Sequence, residues 1–224
     1  MTVANQATAE NGFMARLKEQ TWPLHKMAET RPLQRELTRG QLTQQAYADY
    51  LGQLLLIHRA LEQALRRHRD SHDAIAAVFR NHQQREADLL DDLAFLGQDP
   101  ENMQPLTRTA ELTKSIEYAA DNSPVSLLGY LYVLEGSTNG ARFIARVVRK
   151  TYGFEERGLS YFDPYGDEQP QRWQAFKDDM EAIGLDGDQQ QRIIEASNVM
   201  FKSIAAVSDA VYEQHGGRTD GNED

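Results

Sequence analysis

The amino-acid sequence predicts an all-α protein, built as a single domain of about seven helices. Apolar residues recur at steps of three and four along most of the chain, the spacing that places side chains on one helix face. No stretch of useful length alternates apolar and polar residues, as a half-buried strand would. No internal repeat or linker divides the 224 residues, and one hydrophobic core can accommodate that length.

Apolar stripes and end signals predict the first three helices, over residues 13–28, 43–65 and 73–96. Pro32 lies just beyond the first stripe, where a helix is expected to stop. The hydroxyl of Thr43 is a typical N-cap for the second helix. Gly97 is placed to close the third.

Four more helices are predicted, over residues 106–120, 123–152, 171–183 and 188–212. Ser123 followed by Pro124 is an N-cap with proline at the first helical position. The segment 153–170 holds three glycines and two prolines among aromatic residues, which predicts an ordered loop.

The polar ends, residues 1–11 and 216–224, are predicted to be disordered and to flank a helical domain at 12–215. The N-terminal segment has neither a positive region nor an apolar run, and no stretch approaches 18 apolar residues. This pattern favours a cytoplasmic protein without a signal peptide or membrane span.

Charge and cysteine content argue against several functional classes. The chain has 34 acidic and 24 basic residues, a net charge of −10, and such a surface repels nucleic acid and anionic lipid. We therefore expect no nucleic-acid or membrane partner. The sequence has no cysteine, which excludes disulfides, iron–sulfur clusters, thiolate zinc sites and cysteine nucleophiles.

His25 is the first candidate functional residue, because it shares the apolar stripe of the first helix with Leu17 and Leu24. An imidazole on such a face can bind iron end-on through Nε2, as a proximal haem ligand does. The position equally suits a core histidine with satisfied hydrogen bonds, and His58 faces apolar neighbours just as well. Lys18, two turns earlier, is either a contact for an anionic ligand edge or a solvated lysine.

Gly136 and Gly140 are the second candidate, because they stack on one face of the fifth predicted helix. Each interior glycine costs about 1 kcal/mol relative to alanine, so a compensating close approach is expected there. The approaching body is either a flat macrocycle or a second helix. Side chains within about a turn and a half are candidate hydrogen-bond donors to such a ligand: Tyr130, Tyr132, Asn139 and Arg142.

Other kinds of site lack their sequence signatures. No glutamate stands three residues before any of the six histidines, so the paired Glu-x-x-His motifs of a di-iron bundle are missing. The sequence also contains neither a phosphate-binding glycine loop nor a nucleophile elbow.

Two segments together resemble the heme oxygenase family. Residues 17–29, LKEQTWPLHKMAE, are similar to its first helix, where a Thr-x-x-x-His-x-x-Ala/Leu-Glu run supplies the proximal ligand. Residues 130–142, YLYVLEGSTNGAR, are similar to its glycine-rich distal helix, closest to the Leu-Glu-Gly-Ser-x-x-Gly-Gly form of bacterial members. The similarity spans roughly residues 12–214.

The resemblance implies a fold, an activity and a set of site residues. The fold would be a heme oxygenase-like helical bundle. The enzyme would cleave haem, its substrate and cofactor, with O2 and electrons to biliverdin, CO and ferrous iron. The electron donor would be ferredoxin, flavodoxin or an NAD(P)H-dependent reductase, or ascorbate in vitro. His25 would hold the iron, and the catalytic residues would be Gly136, Ser137, Asn139 and Gly140. The other haem contacts would be Lys18, Tyr130, Tyr132, Ala141, Arg142 and Lys177.

Two departures from the family pattern leave an alternative open. Animal members carry Asp where this chain has Ser137, although bacterial relatives also place Ser there. Ala141 replaces a frequent second glycine, and its methyl group is expected to narrow the distal pocket. A non-catalytic haem- or bilin-binding protein on the same fold is the alternative. A thiaminase-like enzyme of the same helical superfamily would need a cysteine nucleophile, and this sequence has none. A purely structural helical module is the last alternative.

Overall fold

The computed structural model describes residues 12–217, and this part of the chain contains nine α-helices and no β-strand. The helices are α1 (Phe13–Glu29), α2 (Pro32–Arg39), α3 (Gln44–Arg69), α4 (Asp73–Val78), α5 (Glu86–Phe95), α6 (Thr107–Asn122), α7 (Leu127–Tyr152), α8 (Gln169–Ala182) and α9 (Gly187–Gln214). The predicted all-α, single-domain class is confirmed. The predicted disorder of residues 1–11 and 218–224 lies outside the described residues.

Helix α2 was not predicted from the sequence. Pro32 ends the first helix as expected, but it also stands at the first position of α2. A proline is compatible with that position because its fixed φ suits a helix and its missing N–H has no partner there. Leu33 and Leu37 bury the inner face of α2, and Gly40 ends it with φ at +67°.

The helix predicted over residues 73–96 is two helices, α4 and α5. They are separated by residues 79–85, which include a 3-10 turn at Asn81–Gln83. The cause is a contact with α3, where one carboxylate oxygen of Glu62 accepts hydrogen bonds from the backbone N–H groups of Arg85 (2.7 Å) and Glu86 (3.1 Å). This carboxylate caps the start of α5, so a new helix begins there. The apolar spacing of the sequence continues across the break and gives no sign of it.

Helices α1 and α9 run parallel to each other. Two contacts follow the same order along both helices, Arg16 with Gln190 and His25 with Phe201, and Arg31, just beyond the end of α1, continues this order by contacting Asp209. Helix α7 packs on α9, and α3 packs on α5 and α6. No helix in residues 12–217 combines the length and apolar character needed to cross a bilayer.

Candidate functional site

Helices α1, α7 and α9 meet at one level. Gly129 of α7 lies against the backbone of α9 near Ser197, whose hydroxyl donates to the Gly129 carbonyl (3.1 Å). At the same level Tyr132 of α7 forms a hydrogen bond with Thr21 of α1. One turn beyond these contacts, His25 lies on α1 and Gly136 on α7. We call the space between them, which continues to Gly140, the groove.

Two aromatic rings hold His25. Trp22 stacks on it with centroids 5.1 Å apart and planes at 9°, and Phe201 approaches edge-on at 5.6 Å. The His25 side chain is 36% exposed, and its Nε2 lies 3.6 Å from Oε1 of Glu29. The buried Nδ1 has no hydrogen-bond partner among the described residues. Leaving a buried ring nitrogen unpaired is costly, and this one nitrogen is therefore free to serve as a ligand atom.

The nitrogen that is free differs from the expected one. We predicted iron binding through Nε2, whereas Nε2 faces Glu29 here and Nδ1 lacks a partner. The carboxylate of Glu29 thus faces one ring nitrogen of His25, and a carboxylate beside one nitrogen is the arrangement by which proteins orient a metal-binding histidine.

Neither Gly136 nor Gly140 is packed tightly against a second helix of the described chain. A β-carbon added to Gly140 would meet no atom of the described residues within 4 Å beyond its immediate helical surroundings. At Gly136 it would meet only the ring of Trp173, in ordinary contact at 3.4 Å. Helix packing, the alternative reading of these glycines, therefore does not explain them. It does explain Gly129, where an added β-carbon would lie 2.9 Å from Ala196 Cβ.

The two predicted tyrosines have different positions. Tyr132 lies beside the groove, where its ring is 5.9 Å from that of Trp173, and burial raises its pKa. Tyr130 is directed at α6, where its hydroxyl lies 3.5 Å from the carbonyl of Ser115. Tyr130 and Tyr132 point in different directions because two residues along a helix rotate a side chain by about 200°.

Three further predicted residues are engaged elsewhere or face inward. The exposed Asn139 donates to the carbonyl of Gly136 on its own helix (2.9 Å). Arg142 pairs with Asp167 (2.9 Å) and Asp163 (3.4 Å), and the hydrogen bond to Asp167 raises its pKa. Ala141 is buried in the apolar core.

Two lysines lie at the ends of the site. Lys18 is exposed on α1, with Nζ 5.9 Å from the centroid of the Trp22 ring. Lys177 is half-buried on α8, one turn after Trp173, which itself contacts Tyr132. Neither lysine has an acidic partner in the described part of the chain.

Sequence reasoning missed the aromatic walls of the groove. Trp22 lies three residues before His25 in the same segment, so the sequence already placed an aromatic ring close to the histidine. In the structure this ring is exposed. Phe201 and Trp173 come from helices far along the chain. Their contacts depend on how those helices align with α1 and α7, and no local pattern reports that alignment.

Ser137 lies between the groove and an internal polar cavity. The polar lining residues are His58, Glu62, Gln83, Arg85, Glu135, Ser137, Thr138 and Tyr161. The Ser137 hydroxyl donates to the carbonyl of Leu134 (2.7 Å), and Ser137 itself is exposed. The site therefore combines an available imidazole, an uncovered stretch of helix backbone and a buried polar chamber beside it.

Comparison with known proteins gives a consistent result. The sequence model of the family described as heme oxygenase matches residues 11–210. The chain is 25% identical over 191 residues to heme oxygenase 1 of Pongo abelii, covering 83% of this chain and 66% of that one. It is 23% identical over 194 residues to heme oxygenase 2 of Synechocystis, covering 83% and 77%. The chain thus spans slightly less than two thirds of the length of the mammalian relative.

Solved structures share the fold. The heme oxygenase of Leptospira interrogans has a TM-score of 0.81 at 22% identity, covering 88% of this chain and 98% of that one. Heme oxygenase-2 of Synechocystis, solved in complex with heme and NO, has a TM-score of 0.86 at 22% identity, covering 91% and 86%.

Proposed function

The chain belongs to the heme oxygenase family, and from that premise we propose that it binds haem in the groove and cleaves it to biliverdin, CO and ferrous iron. Haem would be both substrate and cofactor. The observation that carries this proposal is the pairing of an unpartnered, buried imidazole nitrogen on His25 with uncovered backbone at Gly136 and Gly140.

The residues present fit the chemistry of haem. The buried ring nitrogen of His25, which has no hydrogen bond within the described part of the chain, would hold the haem iron, and Glu29 is placed to orient that ring. The rings of Trp22 and Phe201 offer apolar surface beside it. The glycines remove the side chains that would hold a flat macrocycle away from α7.

Each part of this chain has a separate task in the proposal. Bound haem supplies the redox chemistry that activates O2. His25 would hold the iron, and Lys18 and Lys177 would pair with the two propionates. Gly136 and Gly140 would let α7 lie close to the ring, which would restrict the meso position that reacts. Ser137, next to Gly136, would supply the hydroxyl that donates a proton.

An acidic electron donor suits the outer face of α7. Although the chain carries a net charge of −10, the exposed residues along this half of the helix include Arg146, Arg149 and Lys150. The exposed ring of Phe143 lies among them. A local basic surface with one apolar contact favours docking of an acidic ferredoxin or flavodoxin.

The alternative is a haem- or bilin-binding protein that does not turn over. Ser137 favours this alternative. Its hydroxyl already donates to the Leu134 carbonyl, and this position carries a serine where a carboxylate could supply protons. Haem cleavage and haem binding without turnover differ only in the reactivity of the bound haem. One sample of protein loaded with hemin therefore tests both functions.

Titration of the apoprotein with hemin tests the binding step. We expect a sharp Soret band with a one-to-one endpoint, and progression to biliverdin when ascorbate or a ferredoxin system is added. A Soret band without progression supports the carrier. Absence of a specific band contradicts both functions.

His25→Ala tests the axial ligand. We expect the apo fold to stay intact and the axial signature to disappear, with recovery on added imidazole. His68→Ala serves as the matched control, because His68 lies on α3 outside the lining of the internal cavity. If His25→Ala binds and degrades haem like the wild type, the ligand assignment is wrong.

A further inference from the structure

The groove is closed at one end by an aromatic ring. The indole of Trp173 lies over Gly136, with Cη2 and Cζ3 at 3.4 and 3.8 Å from the position of an added β-carbon. At Gly140, one turn further along α7, no atom of the described residues lies within 4 Å of that position beyond the surrounding helix backbone. The groove is therefore bounded by the indole at Gly136 and open at Gly140.

Two buried aromatic rings support the Trp173 indole. It stacks on Phe176 with centroids 5.4 Å apart and planes at 13°, and the ring of Tyr132 lies at 5.9 Å and 36°. Phe176 and Tyr132 both belong to the packed core. Side chains packed in this way keep one rotamer on average. The indole therefore presents a rigid surface to the groove.

Helix α8, which carries Trp173, is attached to the other two walls of the groove. The carboxylate of Glu181 accepts hydrogen bonds from the backbone N–H groups of Phe13 (3.1 Å) and Met14 (2.7 Å), the first residues of α1. These are N–H groups that have no partner within α1, so Glu181 caps that helix. Helix α8 also packs on α7. Trp173 thus keeps a fixed position relative to both helices.

An axial bond and a nearby helix leave one motion of a flat macrocycle free. A bond between His25 and the iron is an axis about which the ring can turn in its own plane. The glycines of α7 limit how close the ring comes to the helix, and they do not limit that rotation. Ion pairs between lysines and flexible propionates at an exposed edge restrain it only weakly. A rigid side wall is needed to fix the orientation.

Anchoring of α8 in the core does not account for Trp173. Phe176 and Met180 are the fully buried side chains of this helix, whereas Trp173 is half-buried. Lys177 follows Trp173 by one turn, so one face of α8 presents an indole and then a cation. This pair suits a ligand edge that carries apolar substituents next to a carboxylate.

We propose that Trp173 is a specificity-determining residue, because its indole is the side wall that fixes the in-plane orientation of bound haem and so selects the methine edge that is cleaved. This inference rests on the proposed heme oxygenase function. It assigns the choice of product to a residue of α8, which lies outside both sequence segments, 17–29 and 130–142, that indicate the family.

Proton NMR of the ferric haem complex tests the orientation without turnover. The shifts of the haem methyl groups depend on the angle between the ring and the axial imidazole, so they change when the ring turns. We expect Trp173→Leu to change the order of these shifts or to add a second set of signals. Unchanged methyl shifts in Trp173→Leu overturn the proposal.

Phe95→Leu is the matched control. Phe95 is a partly exposed aromatic residue of α5, and its ring contacts Phe154 and the guanidinium of Arg157. Like Trp173→Leu, this substitution removes an aromatic ring that packs on another aromatic side chain. Phe95→Leu should give the wild-type methyl shifts. The same change of shifts in both variants would indicate a general loosening of the fold and contradict a wall at Trp173.

Product analysis is the second readout. In Trp173→Leu, the ratio of the principal biliverdin isomer to the others should fall at least about tenfold, within the range of discrimination that a binding pocket achieves. Phe95→Leu should keep the wild-type ratio. A wild-type ratio in Trp173→Leu would show that the indole does not select the edge.

Hemin affinity separates a wall from a plug. If the indole filled the space that the macrocycle needs, its removal would strengthen hemin binding. A wall that contacts the bound ring predicts that Trp173→Leu binds hemin no more tightly than the wild type. Tighter binding by Trp173→Leu therefore overturns the proposal.

Trp173→Phe keeps the test decisive if Trp173→Leu does not fold. Its phenyl ring can still stack on Phe176, but it lacks the outer indole atoms that lie over Gly136. The methyl shifts and the isomer ratio should change in the same direction as in Trp173→Leu, and wild-type values for both contradict the proposal. Failure of the proposed function itself looks different, because the wild type would then show no Soret band with hemin.

Discussion

The two halves of α7 use glycine for opposite purposes. At Gly129 the missing side chain lets α7 lie against the backbone of α9, where an added β-carbon would be 3.0 Å from the amide nitrogen of Ser197. At Gly140, eleven residues later, an added β-carbon would meet open space. The first glycine allows two helices to pack, whereas the second leaves helix backbone uncovered.

This difference shows that a small residue on an apolar helix has no fixed meaning. Spacing places Gly136 and Gly140 on one face, but it does not say what approaches that face. The neighbours decide: α9 lies against Gly129, whereas no described atom lies within 4 Å of a β-carbon added at Gly140. Substitutions at Gly129 and at Gly140 are therefore expected to change the stability of the apoprotein in opposite directions.

The largest expected effect is at Gly129. Gly129→Ala places a methyl group against the backbone of Ile193 and Ser197, which cannot move without displacing α9. Overpacking of this kind costs about 3 kcal/mol, more than alanine adds to helix stability. We expect a clear loss in the free energy of unfolding of the apoprotein, measured in urea. If Gly129→Ala is as stable as the wild type, Gly129 is not packed tightly against α9.

Gly140→Ala is expected to act in the opposite direction. With no atom nearby, alanine should stabilise the apoprotein by about 1 kcal/mol through helix propensity. The same methyl group should collide with a ligand lying over the helix, so haem turnover should slow or change its product. Thermal unfolding of the apoprotein and product analysis check the two parts. Lower apo stability with normal turnover would indicate packing at Gly140 as well.

The smallest effect is expected at Glu135, where the packed half ends. Burial raises the pKa of this carboxyl above its usual value of 4.5, although Tyr165 donates to both of its oxygens at 2.9 and 3.0 Å. The folded state therefore binds this proton more tightly than the unfolded state. The resulting stabilisation is present below pH 4.5 and is lost as pH rises through the folded pKa.

Glu135→Gln should remove that pH dependence. The stability of the variant relative to wild type should increase as pH rises from about 4.5 toward neutrality. Urea unfolding at a series of pH values measures this difference in stability. Glu19→Gln is the control, because Glu19 is exposed on α1. A constant difference across this range would show that Glu135 has no raised pKa.

Local signals in the sequence determined most of the helical framework. The hydroxyl of Thr43 accepts a hydrogen bond from the backbone N–H of Ala46 (3.2 Å), as its N-cap position predicted. Gly97 follows α5 with φ at +72°. Such signals act between residues a few positions apart, so a single chain is enough to find them. The two segments around His25 and Gly136 likewise indicated the family before any contact was known.

Only the tertiary structure decided what those elements meet. The break between α4 and α5 depends on Glu62, a carboxylate that α3 brings to the start of another helix. Phe201 reaches His25 because α1 and α9 align in parallel, and Tyr130 turns away from the groove to meet α6. These outcomes depend on the relative positions of helices that are distant in sequence. Residue type and spacing restrict those positions but do not determine them.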